Sequence, residues 1–249
     1  MIKQVMGNNI SYRIVSLGCF CGVAQEMGRI GLRDGSYPFD WLISSSFEKV
    51  IELIKSNFSD FLEKNSFFQS TQNPDYYYNN KSKCWFYHDF TKFADFDSQY
   101  CVVRCKYEKR IRRFYNAISK PTIFLRYIDN QADADFINRN EQDILNFLQS
   151  FCPDNKLYYI YNDNLFCTAQ NYFAVKIDEN DTVARNFFTQ LPLLEKNLKS
   201  NYYDKSLIAY NSKRYMKSQN IGRKIVKKIK KIFSNYFCHT YIHDRKIEK

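Results

Sequence analysis

The sequence predicts an α/β fold: a mostly parallel sheet of about four or five strands with helices on both faces, plus a C-terminal basic amphipathic helix. Short apolar, β-branched runs alternate with longer amphipathic segments between residues 10 and 198. Parallel strands need long crossover connections, usually helices, so this alternation favours a parallel sheet. With 249 residues and 45% hydrophobic content, the chain suffices for one such domain with an appendage.

The first predicted unit is a strand, a glycine turn and a helix. Residues 10–17 form an apolar, β-branched run, Gly18 interrupts it, and a helical pattern begins at Cys21. Backbone N–H groups and the helix dipole stabilise an anion at a helix N-terminus. A thiol at Cys21 is therefore predicted to ionise more readily than a free cysteine.

The remaining elements follow from the same periodicities. The capping pattern at 45–48 and the apolar spacings predict helices at 46–56, 57–68, 98–119, 137–151 and 182–198, the last interrupted near Pro192. Extended segments are predicted at 84–90, 122–128, 156–161 and 173–177. The polar stretch 69–82 is predicted to be an exposed loop.

The charge is concentrated near the C-terminus. Residues 213–233 contain nine Lys and Arg and no acid, so they supply +9 of the net +11 and leave the rest at +2. This pattern predicts an α/β domain at 1–200, a linker at 201–220 and a basic amphipathic helical tail at 221–249. A cationic helix with an apolar face favours peripheral contact of residues 221–237 with an anionic membrane, or docking on the domain. Nucleic acid is a weaker expectation, because no RNA-binding motif accompanies the charge.

The cysteines are predicted to be reduced thiols in a cytoplasmic protein, with peripheral binding at the inner membrane face as an option. The chain shows no signal-peptide pattern and no apolar run long enough to span a membrane. The cysteine spacings do not match the usual zinc motifs, so no metal and no cofactor are expected. The eight cysteines are Cys19, Cys21, Cys84, Cys101, Cys105, Cys152, Cys167 and Cys238.

Several motifs give the chain a family resemblance over roughly residues 10–165. They are SLGxxC at 16–21, GLR at 31–33, PFDW at 38–41, HDF at 88–90, KYxxRxxRF at 106–114 and IFLRY at 123–127. Together they resemble a bacterial family of unknown function described as papain-like cysteine peptidases. The resemblance implies a cysteine-dependent hydrolase that forms an acyl-enzyme on a peptide, ester or glycan-linked substrate.

The predicted catalytic residues are Cys21 as nucleophile and His88 as base. Imidazole is the common proton acceptor near neutral pH, and the other two histidines lie in the tail. A third group is expected to orient the ring. The Cys–His–Asp order of papain-like enzymes favours Asp129, whereas the most distinctive motif contains Asp40. Backbone N–H groups at Gly18 and Cys21 are the predicted oxyanion donors.

Three arginines are predicted to bind substrate. Arg110, Arg113 and Arg126 together would clamp a phosphate or carboxylate of the substrate, unless they are solvated or ion-paired. Arg126 lies inside an apolar strand, where an unpaired charge is costly to bury. A pair with Asp40 or Asp129 would make Arg126 structural.

Two other interpretations remain open. Papain-type enzymes place the cysteine on a long helix against an antiparallel sheet, whereas here it follows a predicted parallel strand, as the serine does in SGNH-type hydrolases. The alternative function is an enzyme or binder of glycans or nucleotide-sugars at the inner membrane surface, without a reactive cysteine. A non-enzymatic partner-binding protein is the third hypothesis. No P-loop or GxGxxG motif supports a common nucleotide fold.

Overall fold

The computed structural model describes residues 10–177 and 183–221. Its strands are β1 Arg13–Ser16, β2 Ile43–Ser44, β3 Phe67–Gln69, β4 Tyr77–Asn79, β5 Cys84–Phe86, β6 Thr122–Ile128, β7 Lys156–Asn162 and β8 Tyr172–Val175. Its helices are α1 Gly22–Arg29, α2 Phe47–Lys55, α3 Phe96–Ile118, α4 Gln131–Gln149 and α5 Pro192–Asn201. A further helix, α6, covers residues 206–221.

The main sheet is parallel and confirms the predicted α/β fold. Its strand order is β1-β6-β7-β8, with Val15 opposite Phe124 and Leu125 opposite Tyr158. Alternate residues of β6 enter two separate cores, because strand side chains point to opposite faces. Phe124 packs with α2, α3 and α4, whereas Leu125 packs with α1 and α5. Helices therefore cover both faces of the sheet.

A second, antiparallel sheet was not predicted. It has the order β2-β5-β4-β3, and β4 lies inside the stretch 69–82 that was expected to be an exposed loop. Two polar side chains there, Asn79 and Ser82, are buried. The Asn79 side chain donates to the Glu63 carbonyl at 3.0 Å and accepts from the Ser82 amide at 2.9 Å, whereas Ser82 Oγ has no partner among the described residues. The helix predicted at 57–68 is also wrong, because that segment consists of turns, a short 3-10 helix and β3.

The helices that border the site begin at capping side chains. The Lys49 amide donates to Ser46 Oγ at the start of α2, as the sequence predicted, and the Asp133 amide donates to Asn130 Oδ1 at the start of α4. The buried face of α3 contains Val103, Tyr107, Phe114 and Ile118, whereas Val102 and Cys105 are exposed.

The predicted linker at 201–220 lies largely within ordered helix. Its larger part belongs to α6, which packs on the end of α1: Ser212 Oγ donates to the Arg29 carbonyl at 2.6 Å and the Asn211 side chain to the Gly31 carbonyl at 3.3 Å. The predicted tail lies outside the described residues from position 222 onward, so the proposed domain division stays a prediction. None of the helices within 10–177 and 183–221 is long and apolar enough to cross a membrane.

Candidate active site

Cys21 lies where the sequence placed it, at the start of a helix that follows a parallel strand. It is the N-cap residue of α1, and no side chain caps that helix end. The residue is half-buried and lines a cavity of about 530 Å³ together with Gln25, Glu26 and Arg185. The sulfur thus lies at a helix N-terminus and is accessible from a cavity.

Burial and the neighbouring charges have opposite effects on the pKa of the Cys21 thiol. Burial is the largest influence and raises the pKa of Cys21, while its own backbone N–H and the nearby Arg185 act in the opposite direction. Gln25 Nε2 lies 3.6 Å from the sulfur and donates to it. A raised pKa favours the protonated thiol, so attack on a carbonyl requires a proton acceptor.

The walls of this cavity come from distant parts of the chain. The Phe20 ring lies over Gly22, where an added Cβ would approach it to 2.0 Å, and meets Tyr127 edge-on at 5.1 Å. The buried Glu26 carboxylate accepts from Arg29 at 2.8 and 2.9 Å and from the Phe188 amide at 3.4 Å. Glu26 therefore anchors the segment after residue 183, which contains Arg185, on α1.

Sequence reasoning missed Gln25 and Arg185 as neighbours of the thiol. Helical spacing was a usable signal for Gln25, since residues four apart lie on the same face of a helix. No comparable local signal identified Arg185, because it reaches the cavity only through the fold.

The predicted oxyanion donors are arranged differently from expectation. The Gly18 amide already donates to Ser16 Oγ at 3.0 Å, and the Cys21 amide lies against its own sulfur. By contrast, the Gly22 and Val23 amides, at the open end of α1, donate to no atom of the described residues. These two N–H groups are the better candidates, as expected for the first turn of a helix.

His88 is exposed and does not line the cavity at Cys21. Its ring meets Trp41 edge-on at a centroid distance of 6.1 Å. Among residues 10–177 and 183–221, no hydrogen bond joins His88 to Cys21, Asp40 or Asp129. The structure therefore places the predicted base after β5 without bringing the predicted triad together, and the role of His88 stays a prediction.

Asp40 is buried in a cluster of its own. One oxygen, Oδ2, accepts from the Tyr37 amide at 2.9 Å and from Arg33 Nη2 at 2.9 Å. The other oxygen, Oδ1, is buried and accepts no hydrogen bond from the described residues. Burial raises the pKa of this carboxyl, and Arg33 opposes the rise. Asp40 thus keeps one unused acceptor.

Asp129 is associated with Cys19 rather than with His88. It accepts from the Asn130 side chain at 2.8 Å and lies beside the Cys19 thiol. Cys19 is 1% exposed and so faces the core, and burial raises its pKa well above the ordinary value. Its positive φ of 87° makes it a strained link between β1 and α1.

The three predicted substrate arginines have different surroundings. Arg126 is fully buried, and its two terminal nitrogens donate to the Leu17 carbonyl, to two Ser44 oxygens and to Asp133. It is therefore a structural cross-link paired with Asp133, not with Asp40 or Asp129, and we do not place it in contact with substrate.

Arg110 and Arg113 lie nearer the surface on α3. Arg110 packs over the Tyr107 ring at 4.7 Å, and its Nη1 is buried without a partner among the described residues. Arg113 is exposed and donates to the Ser36 carbonyl. Both are available to an anion. No group of three or more potential metal-binding side chains occurs within 10–177 and 183–221.

Comparison with known proteins identifies a family. The model of the family described as "Putative papain-like cysteine peptidase (DUF1796)" matches residues 12–153, more than half of the chain. An uncharacterized protein of Acanthamoeba polyphaga mimivirus is 30% identical over 162 residues, which span 57% of this chain and 72% of the relative. No solved structure matches the chain. The relative is viral, so the expected bacterial origin gains no support. The family match includes Cys21 and His88 but not Arg185 or α6.

Proposed function

The chain belongs to the family described as putative papain-like cysteine peptidases, and from that premise we propose that it is a cysteine-dependent hydrolase of peptides. The observation that supports this proposal best is the position of Cys21, half-buried at the uncapped N-terminus of α1 and facing a cavity. The glycan-linked and membrane-bound alternatives gain no support from the comparisons.

The proposed reaction begins when the Cys21 sulfur attacks the carbonyl carbon of the peptide bond as a base removes the thiol proton. The tetrahedral oxyanion then lies near the open amides of Gly22 and Val23 and the side-chain amide of Gln25. The protonated base returns its proton to the leaving amine, which departs and leaves an acyl-enzyme. Water, deprotonated by the same base, releases the acid and the thiol.

His88 is the proposed base. It is the only histidine within the described residues, and burial of Cys21 makes a proton acceptor necessary. The imidazole must come within about 3.2 Å of the proton that it removes, so the exposed ring has to leave its place beside Trp41. Asp40 is the favoured orienting acid, since it precedes Trp41 and has one free carboxylate oxygen.

The layout of this site differs from papain. Cys21 follows β1 of a parallel sheet through a short turn, whereas the papain cysteine lies on a long helix against an antiparallel sheet. The sequence had favoured a strand–turn–nucleophile arrangement of the SGNH type. We propose that the chemistry is of the thiol acyl-transfer kind and that the supporting fold is a parallel α/β sheet.

The test is the pH dependence of Cys21 alkylation by iodoacetamide, measured by peptide mass spectrometry in wild type and in His88→Ala. The wild-type thiol should react at neutral pH if His88 accepts its proton. Without His88, the buried thiol should be alkylated only above about pH 8.5, the ordinary pKa range of a cysteine. The exposed thiols of Cys101 and Cys105 report reagent reactivity in every sample, and Cys21→Ala is the site control.

Two outcomes would contradict the proposal. Identical high-pH profiles in wild type and His88→Ala would remove His88 as the base and Cys21 as an activated nucleophile. A low-pH reaction that persists in His88→Ala would keep the nucleophile but assign its activation to other groups; Arg185→Gln, which removes the nearby cation, would then test the electrostatic route.

A further inference from the structure

The other end of α1 borders a second concave site, which we call the arginine cleft. It lies between the loop at 33–36 and α6, has a volume of about 460 Å³, and is lined by Arg33, Ser36, Arg113, Arg214 and Tyr215 among others. The cleft is lined by Gly28, which comes seven residues after Cys21, so it lies about 10 Å from Cys21 along α1. It is therefore distinct from the cavity at the thiol.

The charges that line the arginine cleft are predominantly positive. Its one carboxylate, Asp34, is already bound to Arg13 and accepts from the Tyr37 hydroxyl at 2.9 Å. Arg113 and Arg214 make no ion pair with an acid of residues 10–177 and 183–221. Two guanidinium charges thus face the cleft without protein counter-charges, in addition to Arg33.

The cleft is built to hold these donors in place. An added Cβ at Gly35 would lie 2.9 Å from Arg113 Cδ, so the glycine allows the arginine stem to lie directly on the loop backbone. One Arg113 nitrogen is fixed by the Ser36 carbonyl, which leaves its other N–H groups for a ligand. Across the cleft, Gly28 allows Tyr215 to approach α1, since a Cβ there would lie 2.5 Å from the ring. This contact positions α6 and with it Arg214.

Ser36 adds a neutral donor between the arginines. Its hydroxyl oxygen accepts from Arg33 Nη2 at 2.7 Å, so its proton is free to point away from Arg33. The Gly35 and Ser36 amides donate to no backbone or side-chain acceptor in the part of the chain that the structure describes. Forked guanidinium donors with neighbouring N–H and O–H groups suit a compact oxyanion of about two negative charges.

We propose that the arginine cleft binds the phosphate group of a phosphate monoester. The two unpaired guanidinium charges match the charge of a phosphate monoester near neutral pH. Arg33 and Arg113 lie inside the family match, whereas Arg214 comes from α6 outside it. Phosphate binding here is separate from the thiol chemistry, because no residue lines both the Cys21 cavity and the cleft.

The experiment is calorimetric titration of the full chain with glycerol phosphate in a phosphate-free buffer. Arg113→Gln and Arg214→Gln should each weaken binding by about tenfold or more, since each removes charged hydrogen bonds to the phosphate. Arg112→Gln and Lys213→Gln are the matched controls: each removes one positive charge at the adjacent position of the same helix, outside the cleft. They should bind within about twofold of wild type. All four positions are exposed, and circular dichroism verifies that the variants are folded.

Equal losses in cleft variants and controls would show a general charge effect and overturn the proposal, as would unchanged affinity in Arg113→Gln and Arg214→Gln. Cys21→Ala separates the two sites, because the proposal expects it to bind glycerol phosphate as wild type does.

A parallel arm uses phosphatidylcholine vesicles with and without phosphatidic acid. Binding to the phosphatidic acid vesicles alone, lost in both cleft variants, would assign the phosphate to a lipid headgroup. Failure in both arms would refute the phosphate site.

Discussion

Two buried arginine–aspartate pairs in this molecule differ in how fully their carboxylate oxygens are used. In the first, Arg126 and Asp133 have side chains that are 0% and 6% exposed, and Arg126 lies over the Phe47 ring at 5.1 Å. In the second, Arg33 and Asp40 have side chains that are 16% and 1% exposed, and Arg33 lies over the Trp41 ring at 5.0 Å. Both pairs thus combine a carboxylate, a guanidinium and an aromatic ring.

The first pair is closed and the second is open. Asp133 uses one oxygen for Arg126 and the other for the Phe47 amide, which joins β6, α2 and α4 at one point. Asp40 has an unused oxygen, and Arg33 lines the arginine cleft. Two bonded carboxylate oxygens and full enclosure indicate a structural pair, even though Arg126 Nε has no partner among the described residues. An unused carboxylate oxygen, in a pair whose arginine lines a cleft, indicates a pair that can still accept a donor from a ligand or a moving side chain.

The largest effect on the free energy of unfolding should come from breaking the closed pair, Arg126 and Asp133. Arg126→Met keeps the approximate length of the side chain but leaves the Asp133 carboxylate without its cation in a dry core. We expect a loss of about 3–5 kcal/mol in the free energy of unfolding, measured by urea denaturation. Adding Asp133→Asn should restore part of this loss, because the amide oxygen still accepts from the Phe47 amide without a buried charge.

The matched control is Arg104→Met on α3. Its ion pair with Glu108 has side chains that are 61% and 52% exposed, so solvent screens the interaction. The unfolding midpoint should stay close to that of wild type. A loss as small as the control's in Arg126→Met would contradict the view that the closed pair is a cross-link.

The parts of this arrangement that the sequence could predict are local. Strand β6 and the start of α2 followed from apolar runs and a capping serine, and the cost of burying Arg126 was visible from its apolar neighbours. The sequence did not identify Asp133 as the ion-pair partner of Arg126. Asp133 lies in the first turn of the following helix, and only the packing of α4 on β6 selects it over Asp129.

At the candidate site, too, only the local features could be predicted from the sequence. The helix start at Cys21 was predictable from Gly18 and the apolar spacing, because both are local signals. The separation of His88 from the thiol was not, because it depends on an antiparallel sheet with strands of only two or three residues. Such short strands give too few alternations to identify from sequence. Helix α6 was missed because none of residues 206–221 is fully buried, so the segment lacks a clear apolar stripe.

A smaller effect is expected from breaking the open pair with Arg33→Gln. Asp40 loses its cation but keeps the Tyr37 amide, and its carboxyl, whose pKa is already raised by burial, can take up a proton instead. We expect a loss of about 1.5–3 kcal/mol in the free energy of unfolding, typical of hydrogen bonds to a charged group. Urea denaturation at neutral pH measures it.

Arg33→Lys is the conservative control, since it retains the charge but not the fork that spans Asp40 and Ser36. Its stability should lie between those of wild type and Arg33→Gln. A loss in Arg33→Gln equal to that of Arg126→Met would show that the open pair is as essential to the fold as the closed one, and the difference between the two pairs would not hold.

The smallest effect is expected for Asp40→Asn. It should appear only in the pH dependence of the free energy of unfolding. Because burial raises the pKa of Asp40 in the folded state, the folded protein holds a proton just above about pH 4 that the unfolded chain has released. The contribution of Asp40 to stability is therefore largest at acid pH and is lost as the pH rises through the folded-state pKa. The amide of the variant does not titrate, so the stability of wild type relative to Asp40→Asn, measured by urea denaturation, should fall as the pH rises above about 4. A difference that rises with pH would mean that Arg33 outweighs burial, and the open pair would then be an ordinary ion pair.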